Sequence, residues 1–156
     1  MRIQKGFISI LFNPCVVLDI IYFCSILTDM GNRVLIGHID KKVIELLGLD
    51  IKENTPIYIS EGNIIHIREN HPDAYMKYYD DVENIISNPD YVGIAGVDAP
   101  SIEYIKQYKV DNEYVNIAVR ASKAGTYFVR SMFIIEEGRI NDYLKKGKLI
   151  QYKSPS

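Results

Sequence analysis

Two histidines, His66 and His71, stand five residues apart in the run Ile65-His66-Ile67-Arg68-Glu69-Asn70-His71-Pro72. A free imidazole titrates near neutral pH, so each can take or give a proton under ordinary conditions. On an unbroken helix, positions five apart diverge by about 140°, and the two rings share a site only if the helix ends near His71, as Pro72 permits. Further along, Arg120 and Arg130 lie in alternating apolar segments. Their planar guanidinium groups suit charge-assisted, bidentate bonds to phosphate oxygens. A base to activate a ribose 2′-hydroxyl, an acid to protonate the leaving 5′-oxygen and cations to stabilise the phosphorane are the parts that metal-free RNA cleavage needs. Plainer roles compete with each assignment: His66 as a core or capping histidine, His71 as a helix end, the arginines as solvated surface groups.

Around these residues, Tyr104, Tyr114 and Phe128 are candidates to stack unpaired bases, although aromatics in strands commonly serve as cross-strand packers. Ser131 and Tyr127 flank Arg130 and alternate to the opposite face in a regular strand, an order that a bulge would reverse. Tyr127 joins the candidate substrate contacts and Ser131 the candidate catalytic group. The third histidine, His38, stands alone. No Gly-rich phosphate loop, HExxH, GxSxG or paired CxxC occurs, so the sequence offers no support for ATP hydrolysis, zinc hydrolysis or acyl transfer at a nucleophile elbow. Neither a metal nor an organic cofactor is expected. Cys15 and Cys24 fall in an apolar stretch and read as reduced, buried thiols.

The elements that must hold these groups follow from periodicity. Val34 to His38 reads as a short strand, and Asp40 caps a helix with an apolar stripe at Val43, Ile44, Leu46 and Leu47, stopped by Gly48. Ile57 to Ile59 is extended, and Ser60 caps a helix running toward His71. Asp80 to Ser87 forms another helix, closed by the Asn88-Pro89-Asp90 turn. Beyond it the period falls to two: Tyr91–Ala95, Ile102–Val110, Tyr114–Ala121 and Thr126–Ile135 read as four strands of an antiparallel meander. Val115, Ile117 and Val119 share one face of the third strand, and Asn116, Ala118 and Arg120 the other. In the fourth, Tyr127, Val129, Phe133 and Ile135 are expected on one face and Thr126, Phe128, Arg130 and Met132 on the other. Asn141–Lys146 is a helical turn, and Leu149–Tyr152 offers an edge strand. The fold class is α+β, with N-terminal helices on one face of a four-stranded antiparallel sheet.

At 156 residues, with 47% apolar and 24% charged residues, the composition fits one packed domain. The formal charge of −2 argues against indiscriminate coating of nucleic acid. It hides a division: residues 40–100 hold 5 Lys/Arg against 12 Asp/Glu, whereas residues 101–153 hold 10 against 6. The cationic half is the half that carries both arginines. Residues 7–27, FISILFNPCVVLDIIYFCSIL, are the most apolar stretch, but Asn13, Pro14 and Asp19 interrupt them. The expected organisation is an apolar extension at 1–29, non-native or membrane-associating, a domain at 30–153 and a tail at 154–156.

The segment TPIYISEGNIIHIRENHPDAYMKYYDDVENIISNPDYVG, followed by SIEYIKQY, VNIAVRAS and GTYFVRSMFII, resembles the phage-associated barnase/EndoU/colicin/RelE-like nuclease group, in its third subdivision. The resemblance covers about residues 33–150. It implies a barnase/RelE-like arrangement of helices on a four-stranded sheet, and it puts weight on His66, His71, Arg120, Arg130 and Ser131. The activity it implies is that of a cytoplasmic endoribonuclease, toxin-like or mobile-element associated. RNA, single-stranded or tRNA-like, is the expected partner, with a cognate inhibitor protein as a further candidate. An inert RNA- or protein-binding module of the same fold is the alternative.

Overall fold

The computed structural model describes residues 32–153. The chain divides into two units, Met1–Gly31 and Asn32–Ser156, and the fold below is that of the second. The apolar stretch at 7–27, both cysteines and the expected boundary at residue 30 lie outside the described residues, as does the 154–156 tail.

Strand β1 (Arg33–Ile39) leads into helix α1 (Lys41–Leu47). Asp40 caps that helix as its sequence position predicts, accepting a 2.7 Å bond from the Val43 N–H. Gly48 ends it in the left-handed conformation, with φ at 61°. The second Asp40 oxygen accepts the Tyr152 hydroxyl at 2.6 Å, tying the start of the domain to its end. Burial and this bond push the Tyr152 phenol up to about 12. Asp40→Ala removes the cap and the tie together, and is expected to cost about 1–2 kcal/mol in a denaturant titration.

Strand β2 (Thr55–Ser60) passes directly into α2 (Glu61–Asn70), capped by Ser60, and then α3 (Pro72–Tyr78). A 3₁₀ turn (Tyr79–Asp81) and α4 (Val82–Ser87) complete the helical half. Then come β3 (Tyr91–Ala95), β4 (Ser101–Tyr108), β5 (Glu113–Ala121) and β6 (Tyr127–Ile135), followed by α5 (Glu137–Lys145) and β7 (Leu149–Gln151). Strands β3 to β6 form the expected antiparallel meander.

The sheet, however, has seven strands in the order β1-β2-β6-β5-β4-β3-β7 and is mixed. This corrects the four-stranded antiparallel expectation. The two short early strands pair with each other, and β2 then adds to β6 in parallel through Ile57↔Tyr127 and Tyr58↔Phe128. Strand β7 extends the far edge on β3. A Cβ at Gly93 would lie 2.4 Å from the Lys148 carbonyl oxygen, so only glycine admits this approach of β7.

The main core joins Val43, Ile67, Ala74, Val82, Ile85 and Ile86 of the helices to Val115, Ile117, Val119, Val129 and Met132 of the sheet. A second cluster lies elsewhere: Ile140 of α5 packs on Ile105, Tyr114, Ile135 and Leu149. Cross-strand pairing puts those sheet residues on the face opposite the main core. The helices are therefore not confined to one face. Helix α5 covers one end of the second face, and beyond it Ala118, Arg120 and Ser131 stay partly exposed while Phe128 is buried.

Candidate active site

The site begins where α2 stops. His71 has φ −135° and ψ 56°, outside the helical region, and its N–H donates to the Ile67 carbonyl while its own carbonyl accepts from the Tyr75 N–H. Pro72, which lacks an N–H, suits the first position of α3. This bend rotates His71 back toward His66, and the two ring centroids lie 6.2 Å apart, edge to face. The condition that the spacing imposed, a helix ending at His71, is met.

Asn70 fixes one ring. Its amide nitrogen donates to the His66 carbonyl at 2.9 Å and lies 3.1 Å from His66 Nδ1. An amide N–H donor facing Nδ1 leaves the proton of neutral His66 on Nε2. Burial, and then the neighbouring His66, push the His71 imidazole below its usual value. His71 also lies 5.6 Å from the Phe133 ring. Helices α2 and α3 both pack against β6, so the histidine pair stands beside that strand.

Strand β6 carries a bulge at Arg130. Ala118 pairs with Ser131 and Val119 with Val129, which leaves Arg130 unmatched between them. The extra residue reverses the alternation beyond it. Phe133 and Ile135, expected beside Tyr127 and Val129, instead share the face of Phe128 and Ser131, while Met132 turns into the main core. Arg120 pairs with Phe128, Ala118 with Ser131 and Asn116 with Phe133. Arg130 sits 5.4 Å from the Phe128 ring. The open face thus holds, in order along β5 and β6, the two arginines, the small pair Ala118/Ser131, and then Phe133 with the histidines behind it. Strand rise puts about 13 Å between the Arg120 and Asn116 backbones, and the notch over Ala118 and Ser131 lies between them.

Three of the expected stacking residues are buried. Tyr104 and Phe128 are 0% exposed and Tyr114 is 5% exposed, so none offers a ring face to a base. Tyr104 points into the main core, Tyr114 lies under α5 with its hydroxyl accepting from Gln107, and Phe128 sits 6.1 Å from Tyr58. Tyr127 is half-buried and packs against the main core. The Tyr104 hydroxyl is buried without a partner. Tyr104→Phe is therefore expected to leave RNA binding unchanged and stability equal or up to about 1 kcal/mol higher. A loss of RNA affinity would restore Tyr104 as a contact.

Sequence reasoning passed over Glu103. It is the lone carboxylate in Ile-Glu-Tyr-Ile, it shares the open face with Ala118, and its oxygens accept from Ser101 Oγ at 2.6 Å and from the Asn116 amide. Burial raises its carboxyl, with the Ser101 and Asn116 bonds and the Arg120 charge pulling the other way. An acidic residue interrupting an apolar alternation on a cationic strand pair was the available signal. His38 is exposed on β1, and no group of three His, Cys, Asp or Glu side chains among the described residues is arranged to hold a metal ion. Nor is any helix among the described residues long and apolar enough to cross a membrane.

The family model for phage-Barnase-EndoU-ColicinE5/D-RelE like nuclease3 matches residues 34–142, more than half of the chain. No curated protein and no solved structure matches.

Proposed function

Because the chain belongs to the phage-Barnase-EndoU-ColicinE5/D-RelE like nuclease3 family, we propose that it is an endoribonuclease that cleaves RNA through the ribose 2′-hydroxyl without a metal. The observation that carries this reading is the 6.2 Å histidine pair beside Phe133. Phe133 shares one open sheet face with Arg120, Ser131 and the Arg130 bulge. The scissile phosphate sits over the Ala118/Ser131 notch, the smallest cross-strand pair on that stretch.

His71 is the base. Its lowered proton affinity keeps it neutral at pH 7, ready to take the 2′-hydroxyl proton. The 2′-oxygen attacks phosphorus, and the bond to the 5′-oxygen breaks. His66 is the acid: as the imidazolium it gives that oxygen a proton and is left as the neutral ring. Arg120 and Arg130 stabilise the dianionic phosphorane, and the Ser131 hydroxyl donates to a non-bridging oxygen. The product is a 2′,3′-cyclic phosphate and a 5′-hydroxyl. A cytoplasmic, toxin-like role on tRNA-like RNA fits this chemistry.

Incubating the full chain with total RNA in EDTA tests the reading. Cleavage that survives EDTA and is lost in His66→Ala and Arg130→Ala supports it; RNA binding with no cleavage points to the inert module instead.

A further inference from the structure

A cluster of titratable side chains outside the histidine site gathers where α3 ends. Lys77 Nζ and the Tyr78 hydroxyl, from consecutive residues, both donate to Glu113 at the start of β5, at 2.9 and 2.6 Å on its two oxygens. The Tyr78 hydroxyl also lies 3.3 Å from an Asp111 oxygen. The Tyr78 ring, 4% exposed, packs on Tyr108 with 4.3 Å between centroids, and the Tyr108 hydroxyl donates to Asp81 in the 3₁₀ turn. The far end of α3 and the turn after it are thus clamped to the hairpin that joins β4 to β5. Burial first, then the Glu113 bond, push the Tyr78 phenol up, while the Tyr78 and Lys77 bonds hold the Glu113 carboxyl below the usual carboxylate range. Donor and acceptor therefore keep their roles wherever imidazoles titrate.

The near end of α3 has no such fastening. His71 is its N-cap, no side-chain bond caps the helix there, and Pro72 and Asp73 are exposed. The helix is seven residues long, about 10 Å, with Ala74 packed on the main core between its ends. A helix this short turns as one body, so the end that is tied sets the direction of the end that is not.

We propose that Tyr78 and Glu113 are positioning residues for His71: their bond aims α3, and so sets where the His71 ring stands against His66 and Phe133. The proposal rests on the endoribonuclease reading for its catalytic consequence, whereas the placement of the ring can be read without any cleavage.

Nuclear magnetic resonance of the full chain follows the His71 ring directly, its signal identified by its loss in His71→Ala. In the wild type, burial and the neighbouring His66 hold this imidazole below its usual value. Tyr78→Phe keeps the stacked ring and removes only the hydroxyl. It is expected to raise the His71 titration midpoint, and to lower kcat on RNA about 10- to 100-fold with KM within about twofold. Glu113→Ala should do the same. Glu113→Gln, whose amide oxygen still accepts from Tyr78, should restore most of the wild-type behaviour. Asp40→Ala is the control, since it weakens the fold at the cap of α1 and should leave the His71 midpoint where it was. An unmoved midpoint in Tyr78→Phe, a Glu113→Gln chain that behaves as Glu113→Ala, or an equal shift in Asp40→Ala would overturn the proposal. Thermal melts check folding; if Tyr78→Phe does not fold, the two Glu113 variants decide. A shifted midpoint in a chain that cleaves no RNA sinks the cleavage reading alone, and cleavage with an unmoved midpoint sinks the positioning role alone.

Discussion

Replacing His71 by alanine is expected to slow RNA cleavage by about 10²- to 10⁴-fold, the range in which a positioned proton-transfer group contributes. The loss should appear in kcat, since the ring holds no ground-state phosphate contact in the proposed scheme. The fold should survive, because the structural bonds at this position are made by the His71 backbone rather than its ring. The pH profile carries a sign. As the base, His71 must be neutral, and burial together with His66 lowers its proton affinity. The acidic limb of kcat/KM should therefore fall below the ordinary histidine value of about 6.5 and disappear in His71→Ala. A variant that keeps a third of the wild-type rate, or an acidic limb unchanged by the substitution, removes His71 from the base role.

Phe128→Ala should produce the largest loss of stability. The ring is fully buried on the face opposite the main core, with Tyr58 at 6.1 Å and Arg130 at 5.4 Å. It joins β2 to β6 where the two strands pair in parallel. Truncation removes its transfer energy and leaves a cavity, at a cost of about 3–5 kcal/mol. A thermal melt should fall by roughly 10 °C or more. Phe128→Leu, which keeps most of the volume, should lose much less. Were Phe128 instead an exposed stacking platform, alanine would weaken RNA binding with the melt unchanged.

Much of this architecture could be read from residue order. The caps at Asp40 and Ser60, the break at Pro72 and the four-strand meander are local features, fixed by side chains within a few positions of one another. The histidine convergence was legible for the same reason, because it turns on one helix end. Long-range pairing was not. Nothing in Val34–His38 or Ile57–Ile59 states that these strands join each other and then β6 in parallel, since the partner lies some 70 residues away. The bulge at Arg130 was equally hidden. A run such as Tyr-Phe-Val-Arg-Ser-Met-Phe-Ile-Ile alternates plausibly in either phase, and one unmatched residue moved Phe133 from the expected core face to the side of His71. Burial of Tyr104 follows from its pairing with Ile117 and likewise has no local signature. Glu103 went unremarked because a single carboxylate in a strand is ordinary until its neighbours bury it.

The chemistry of the cut ends is the most direct test of the mechanism. RNA digested by the full chain in EDTA should carry 2′,3′-cyclic phosphates, or the 3′-phosphates formed by their hydrolysis, opposite 5′-hydroxyl ends. Products ending in 3′-hydroxyl and 5′-phosphate would mean that water, not the neighbouring 2′-oxygen, attacks phosphorus, and the histidine-pair mechanism would be wrong.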